Sequence, residues 1–190
     1  MLKAFSMRFF FIFILIILTS LSFKSYTNKD KGLINEFLKN KLENFELSKE
    51  KKNISDLKFK DDEGKEISFS DFQDKVLLVN FWATWCAPCI KEMPSLDRLK
   101  KKINKNFDVI AISVDRDGVK KVKDFFNENK ITNLGKYFDI KNSLAKEMNL
   151  IGLPTSFFIN KKGDLIGYFQ GDMEWDNDTV IEFINYLIKT

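Results

Sequence analysis

Two cysteines, Cys86 and Cys89, follow a continuous apolar run and are the only cysteines in the chain. The run, residues 76–82, is rich in strand-forming side chains and predicts a buried strand, and the residues after Cys89 predict a helix. Cys86 would then lie exposed at a helix N-terminus, where free N–H groups and the helix dipole favour a thiolate. Because positions i and i+3 share one face of a helix, the sulfurs can close a small disulfide ring and reopen it. The pattern predicts thiol–disulfide exchange.

Two simpler explanations of the cysteine pair stay open. A structural zinc site takes four ligands, so a chain with two cysteines and no histidine would need carboxylates or a second chain to complete it. A purely structural disulfide would close so short a loop that it would remove little entropy from the unfolded chain. A redox-active pair is the favoured interpretation, since a CxxC after such a strand is typical of redox motifs.

The residues around the pair resemble a known family. Residues 80–89, Asn-Phe-Trp-Ala-Thr-Trp-Cys-Ala-Pro-Cys, resemble the active-site segment of the thioredoxin superfamily. Together with Glu92, Pro94 and residues 152–155, Gly-Leu-Pro-Thr, they resemble the membrane-tethered TlpA/ResA/CcmG (DsbE) group. The resemblance covers the chain from about Ile54 to the C-terminus. It implies an α/β thioredoxin fold, with a mixed central sheet flanked by helices on both faces.

The spacing of apolar and turn-forming residues predicts the elements of this domain. An N-terminal hairpin and a central βα insertion over residues 131–140 are what the resemblance to the TlpA/ResA group implies. The patterns predict a hairpin over 57–67, a helical turn at 70–72, a strand from Val76, a helix from the CxxC to about Asn104 with a bend at Pro94, a strand over 107–114, helices over 119–129 and 143–148, a hairpin of 155–160 and 165–169, and a helix over 178–188 capped by Asp178.

The N-terminal residues differ from the rest of the chain. Lys3 and Arg8 precede an apolar core, residues 9–18, which predicts an export signal over residues 1–23. The core is short for a membrane span of about 20 residues, and no convincing cleavage site follows it, so a cleaved signal and an anchor stay open. The resemblance favours the anchor and a location on the periplasmic side of a bacterial inner membrane. Residues 24–53 are predicted to be a polar linker with an amphipathic helix over about 33–47, and residues 54–190 the thioredoxin-like domain.

The charge pattern excludes one class of partner. The chain has 31 basic and 27 acidic residues and a net charge of +4, without a basic block interleaved with aromatic residues. A solvated surface of mixed charge is therefore expected, and no nucleic-acid partner.

The sequence suggests separate roles for the residues of the redox site. Cys86 is the expected nucleophile and Cys89, one turn further, the resolving thiol. Glu92 follows on the same helical face, where a solvated surface glutamate is the simpler alternative. The resemblance implies that Glu92 tunes the thiols and moves protons. Asn80 stands where thioredoxin has a buried aspartate and cannot accept a proton, which favours Glu92 as the general acid or base.

Substrate contacts are expected on the loop before the last hairpin and beside the cysteines. The resemblance implies a cis Leu153–Pro154 bond, with the backbone of Leu153 offered to an extended peptide; a trans proline at a strand start is the alternative. Trp85 and Thr155 complete the predicted contact set. Of the other tryptophans, Trp82 is predicted to form a wall of the site and to pack in the core, and Trp175 is predicted to be a packing residue.

Three functions compete at this point. The first is an exported reductant of particular protein disulfides, which by resemblance would be those of apocytochrome c or of the copper-site cysteines of a respiratory oxidase. A membrane electron donor of the DsbD/CcdA type would recharge it. The second is a copper(I) chaperone, since soft thiolates suit Cu(I). The third is a disulfide-forming oxidant. No metal is expected, and no cofactor beyond the redox-active disulfide.

Overall fold

The computed structural model describes Leu42, residues 44–116 and residues 118–190. The elements found there are β1 (Phe45–Leu47), β2 (Lys58–Asp61), β3 (Glu66–Ser68), a 3₁₀ helix (Phe69–Phe72), β4 (Val76–Trp82), α1 (Ala87–Lys102), β5 (Phe107–Ser113), α2 (Gly118–Glu128), β6 (Tyr137–Phe138), α3 (Ser143–Glu147), β7 (Thr155–Ile159), β8 (Leu165–Gln170) and α4 (Asp178–Lys189). The strands and helices predicted from residue patterns from Leu57 onwards lie within one or two residues of these bounds. Within the implied βα insertion, residues 131–140 contain the strand β6, and the helix that follows it, α3, begins at Ser143.

The strands form one mixed sheet in the order β1-β8-β7-β4-β5-β6-β2-β3. The central strand β4 pairs parallel with β5 and antiparallel with β7. Every residue of β4 and β5 is buried, because this parallel pair is covered on both faces. Helices flank the sheet, so the predicted thioredoxin fold is confirmed. The N-terminal hairpin consists of β2 and β3, and β6 connects it to the rest of the sheet by pairing with β2 on one side and β5 on the other.

Residues 45–47 form an edge strand, and the prediction of a helix is wrong for them. They pair antiparallel with β8, where Leu47 lies opposite Gly167. A Cβ atom at Gly167 would lie 2.4 Å from the carbonyl oxygen of Glu46, so glycine is what allows β1 to approach. The Phe45 ring packs 5.5 Å from the Phe158 ring, measured between centroids. Phe45 and Leu47 are half-buried and Glu46 between them is exposed, which is the alternation of a strand with one face on the sheet.

The sheet thus includes β1, which precedes the predicted domain start at Ile54. The rest of the predicted amphipathic helix, residues 33–41 and 43, and the predicted signal over 1–23 lie outside the described residues. In the part of the chain that is described, no helix has both the length and the apolar character needed to cross a membrane.

Helix α1 carries the cysteine pair into the core. It begins directly after Cys86, its N-cap, and continues through Pro94 to Lys102. Pro88 occupies the first turn, where a missing N–H breaks no helical hydrogen bond. The buried residues recur every three or four positions, which places one apolar and functional face against the sheet: Cys89, Glu92, Met93, Ser95, Leu96, Asp97 and Leu99.

The last helix begins one residue earlier than its predicted cap implied. The N-cap of α4 is Asn177, whose side-chain oxygen accepts a hydrogen bond from the backbone N–H of Val180 at 3.0 Å. Asp178 is the first helical residue, so the predicted capping role is wrong. As an acidic residue in the first turn, Asp178 instead interacts favourably with the helix dipole.

Candidate active site

Cys86 and Cys89 are joined in a disulfide with their Cα atoms 5.3 Å apart. The Sγ atom of Cys86 accepts a hydrogen bond from the backbone N–H of Cys89 at 3.4 Å. Cys86 is 6% exposed and Cys89 is fully buried, so the expectation of an exposed Cys86 is wrong for the disulfide form. Cys86 is still the more accessible sulfur, and its neighbours Ala87 and Pro88 are exposed. The N–H group and the helix dipole would stabilise a thiolate at Cys86 after reduction.

The loop that leads into Cys86 is anchored by the buried carboxylate of Asp115. This carboxylate accepts hydrogen bonds from the backbone N–H of Thr84 at 2.9 Å and from its hydroxyl at 2.7 Å. The Ser113 hydroxyl donates to the same carboxylate at 2.8 Å. Because Trp82 and Ser113 are opposite each other at the ends of the parallel strands β4 and β5, Asp115 ties the two strand ends together. Sequence reasoning did not single out Asp115.

Glu92 lies one turn after Cys89 on the buried face of α1 and is 1% exposed, which excludes a solvated surface residue. Its Oε1 accepts a hydrogen bond from Asn80 Nδ2 at 2.8 Å. Its Oε2 accepts from Trp175 Nε1 at 2.7 Å and from the Met173 backbone N–H at 3.3 Å. Burial raises the pKa of Glu92 from 4.5 to about 7, against the opposing effect of these three hydrogen bonds. A carboxyl with this pKa can take up and release protons near neutral pH.

Asn80 lies in the middle of β4 and is fully buried. Besides Glu92, its Nδ2 donates to the Ser156 hydroxyl on the neighbouring strand β7 at 2.9 Å. Among the residues that the structure describes, its Oδ1 has no hydrogen-bond partner. The buried amide thus bridges α1 and β7.

Trp175 packs in the core as predicted, but the prediction missed its polar contact with Glu92. Its ring lies against the rings of Phe158 and Phe169, and its backbone N–H donates to the Ser95 hydroxyl at 3.0 Å. The Ser95 hydroxyl in turn donates to the backbone carbonyl of Glu92 at 2.7 Å. Trp175 and Glu92 are 83 residues apart, so no local sequence signal could have paired them.

The Leu153–Pro154 peptide bond is cis, as the resemblance implies, so the trans alternative is wrong. Pro154 and Thr155 are buried, and the Thr155 hydroxyl donates to the Gly152 carbonyl at 2.8 Å. The Thr155 side chain therefore stabilises this loop. Leu153 is half-buried, and within residues 44–116 and 118–190 its backbone makes no hydrogen bond to another backbone group. Ile151, which precedes it, is 78% exposed.

A cavity of about 590 Å³ opens beside Trp85, which is 69% exposed as its predicted contact role requires. Arg116, Lys121 and Lys146 line the cavity and are exposed. None of the three forms an ion pair with another described residue. The cavity therefore presents accessible basic side chains beside Trp85, the residue before Cys86.

Comparisons with known proteins agree with this geometry. The redoxin family model matches residues 44–184. The thiol-disulfide oxidoreductase ResA of Bacillus thuringiensis subsp. konkukian is 35% identical over 143 residues, which cover 70% of this chain and 74% of that protein. The chain belongs to the redoxin family. Sporulation thiol-disulfide oxidoreductase A of Bacillus subtilis is 32% identical over 106 residues, 54% of this chain and 63% of that protein.

Solved structures support the same fold. A Chlorobium tepidum protein assigned as thiol:disulfide interchange protein DsbE superposes with a TM-score of 0.65, at 23% identity, over 75% of this chain and 99% of that one. The family and the Cys86–Cys89 pair together make this chain a thiol–disulfide oxidoreductase of the ResA type. In the part of the chain that is described, no three or more candidate metal ligands come together.

Proposed function

We propose that this chain is an exported, membrane-tethered reductant of particular protein disulfides, with Cys86 as its attacking thiol. The observation that carries the proposal is the arrangement along α1. Cys86 caps the helix and receives a backbone N–H on its sulfur, and Glu92, with a pKa of about 7, lies one turn beyond Cys89.

Exchange proceeds in two steps. The Cys86 thiolate attacks one sulfur of the substrate disulfide, whose S–S bond breaks, and the second substrate sulfur leaves as a thiolate that takes up a proton. Cys89 then loses its proton and attacks Cys86 Sγ. The mixed disulfide breaks, the Cys86–Cys89 bond forms, and the remaining substrate sulfur leaves and is protonated. The substrate gains two electrons and this chain loses two.

Glu92 acts as the proton carrier of the second step. A thiolate attacks and a thiol does not, so the buried Cys89 needs a nearby base. Asn80 cannot be this base, because a carboxamide does not accept a proton near neutral pH. Glu92 ionises near neutrality and follows Cys89 by one helical turn on the same buried face.

The substrate chain is held beside Trp85 and the Leu153 loop. The backbone groups of Leu153, which bond to no other described backbone group, can pair with an extended peptide, as strand edges do in other peptide-binding proteins. The exposed side chain of Trp85 offers an apolar contact. Pro154 and Thr155 contribute to this surface by holding the loop in place.

The proposed location rests on the sequence of residues 1–23, whose basic and apolar segments are typical of an export signal. The proposed substrates are the disulfides of apocytochrome c or of oxidase copper-site proteins. A bacterial periplasm is kept oxidising, so a reductant there requires electrons from a membrane donor of the DsbD/CcdA type. The disulfide itself is the redox group, and no other cofactor is proposed.

Trapping the mixed disulfide in cells tests the proposal. A Cys89→Ala variant cannot resolve the intermediate, so the substrate is expected to remain attached through Cys86. The matched Cys86→Ala variant should trap nothing. Failure of Cys89→Ala to retain a protein with a disulfide bond to Cys86 would contradict a specific reductant. A measured potential near about −120 mV, as in DsbA, would favour an oxidant over a reductant near thioredoxin's value of about −270 mV.

A further inference from the structure

Every hydrogen-bond partner that the described residues give to the Glu92 carboxylate is a donor. Asn80 Nδ2 donates to Oε1, and the Trp175 indole and the Met173 backbone N–H donate to Oε2. These three groups satisfy an ionised carboxylate, and none of them, as oriented, can accept a hydrogen bond from the hydroxyl of the protonated acid. A buried hydroxyl without an acceptor is costly. Because Glu92 exchanges its proton near neutral pH, its surroundings must accommodate both forms.

The two oxygens of Glu92 differ in whether their partners can change. The indole N–H of Trp175 and the backbone N–H of Met173 can only donate. Trp175 is also held in place, because its ring packs between aromatic neighbours and its backbone bonds to Ser95. Oε2 therefore faces fixed donors in both protonation states, and the proton is excluded from it.

Asn80 is the partner that can reverse. Rotation of its carboxamide would exchange Nδ2 and Oδ1, which have nearly the same size. Oδ1, at present without a partner among the described residues, would then take the position 2.8 Å from Glu92 Oε1 and 2.9 Å from the Ser156 hydroxyl. There it could accept from the protonated acid and from Ser156, since a hydroxyl can donate or accept. Nδ2 would move to the present place of Oδ1, which receives no hydrogen bond from the described residues.

We propose that Trp175 is a positioning residue that fixes Oε2 of Glu92, so that Oε1 takes up and releases the proton while Asn80 reverses its carboxamide. Trp175 and Asn80 act through Glu92 and touch no substrate. The proposal deepens the proposed function, and its link to catalysis rests on Glu92 moving protons there. The position of the proton can be measured in the oxidised protein without any reaction.

Few other charges act on this carboxylate. Asp172, on the same segment as Met173, raises the pKa of Glu92 through charge repulsion and is itself paired with Lys91 at 2.8 Å. On α1 itself, Cys86 and Cys89 do not titrate while they form the disulfide. In the oxidised protein, therefore, no cysteine titration overlaps that of Glu92.

The first experiment uses the wild-type chain and follows the indole N–H signals of its three tryptophans by ¹⁵N NMR between about pH 5 and about pH 9. The Trp175 signal is expected to move with a midpoint at the Glu92 pKa, and the side-chain amide signals of Asn80 with the same midpoint. The Trp82 signal should stay in place, because its buried indole has no hydrogen-bond partner among the described residues. Glu92→Gln should abolish both movements. A stationary Trp175 signal overturns the positioning role, and stationary Asn80 signals overturn the reversal.

The second experiment compares two tryptophan variants. Trp175→Phe keeps a ring in the core but removes a donor to the ionised carboxylate, so the Glu92 midpoint, read from its ¹³C carboxyl signal, should rise by about one pH unit. Trp82→Phe is the matched control, since it removes a buried indole without a hydrogen bond and should leave the midpoint unchanged. Equal shifts in both variants, or none in Trp175→Phe, would contradict the proposal.

The two proposals fail in different ways. If Glu92→Gln leaves the rate of peptide-disulfide reduction and its pH profile unchanged, Glu92 does not carry the proton in catalysis. The NMR midpoints would still decide whether Trp175 and Asn80 control where its proton lies. If the rate depends on Glu92 but Trp175→Phe leaves the midpoint in place, only the positioning role is lost.

Discussion

Replacing Glu92 by glutamine is expected to stabilise the oxidised protein above neutral pH and to leave its stability unchanged in acid. The folded state holds the Glu92 proton up to about pH 7, whereas an exposed glutamate in the unfolded chain releases it near 4.5. Between these values the folded state binds more protons than the unfolded chain, so stability falls as pH rises through this window. Above pH 7 the folded protein carries the full cost of a buried charge.

The size of the effect follows from the two pKa values. The rise from 4.5 to about 7 corresponds to about 3 kcal/mol, at about 1.4 kcal/mol for each pH unit. Glutamine removes the charge and can keep the contacts: its oxygen can accept from Trp175 and Met173, and its amide can donate to a reversed Asn80. The variant should therefore match the wild type near pH 4 and exceed its free energy of unfolding by about 3 kcal/mol near pH 8.

Urea unfolding of the disulfide form at a series of pH values measures this difference. The absence of histidine helps, since no side chain that ordinarily titrates near pH 6.5 is present. Glu128→Gln on the exposed face of α2 is the matched control and should change the pH dependence little. A difference between Glu92→Gln and wild type that is constant with pH, or a variant less stable than wild type near pH 8, would refute the reasoning.

Three further predictions concern the surroundings of the site. Asp115→Ala leaves the Thr84 N–H without its partner, so the free energy of unfolding should fall by about 2 kcal/mol and disulfide exchange should slow. Unchanged values in both assays would argue against the anchoring role of Asp115. Peptide disulfides flanked by acidic residues should be reduced faster at low salt than peptide disulfides flanked by basic residues, because Lys121 and Lys146 line the cavity beside the site. The difference should disappear at high salt. Equal rates at low salt would count against binding of the substrate at this cavity. Gly167→Ala places a Cβ atom against β1 and should cost about 2 kcal/mol by urea unfolding, and a neutral result would show that β1 can shift freely.

Much of the fold could be predicted because its signals are local. The apolar run of β4 and the CxxC define the strand–helix junction within about fifteen residues of sequence. Glu92 could be placed on the face of the cysteines because helical periodicity fixes its direction. These inferences need no knowledge of distant residues.

Of four wrong or missing predictions, three depend on contacts between residues far apart in the sequence, and the fourth on local backbone geometry. β1 has only three residues, and Phe45 also lies three residues after Leu42, which is a helical spacing, so only its pairing with β8 decides its structure. Trp175 meets Glu92 through a contact that the fold of the whole domain creates. Asp115 likewise acts on a loop 31 residues away. Asn177 and Asp178 are both good capping residues, and backbone geometry selects the first.

The most direct test of the account is a thiol count during one turnover of the reduced protein with a peptide disulfide. The account predicts that two protein thiols disappear for each peptide disulfide reduced. Cys89→Ala should stop at a mixed disulfide through Cys86, and Cys86→Ala should not react. Reduction of the peptide by Cys86→Ala at the wild-type rate, or a wild-type protein that cannot pass between dithiol and disulfide forms, would contradict the central claim.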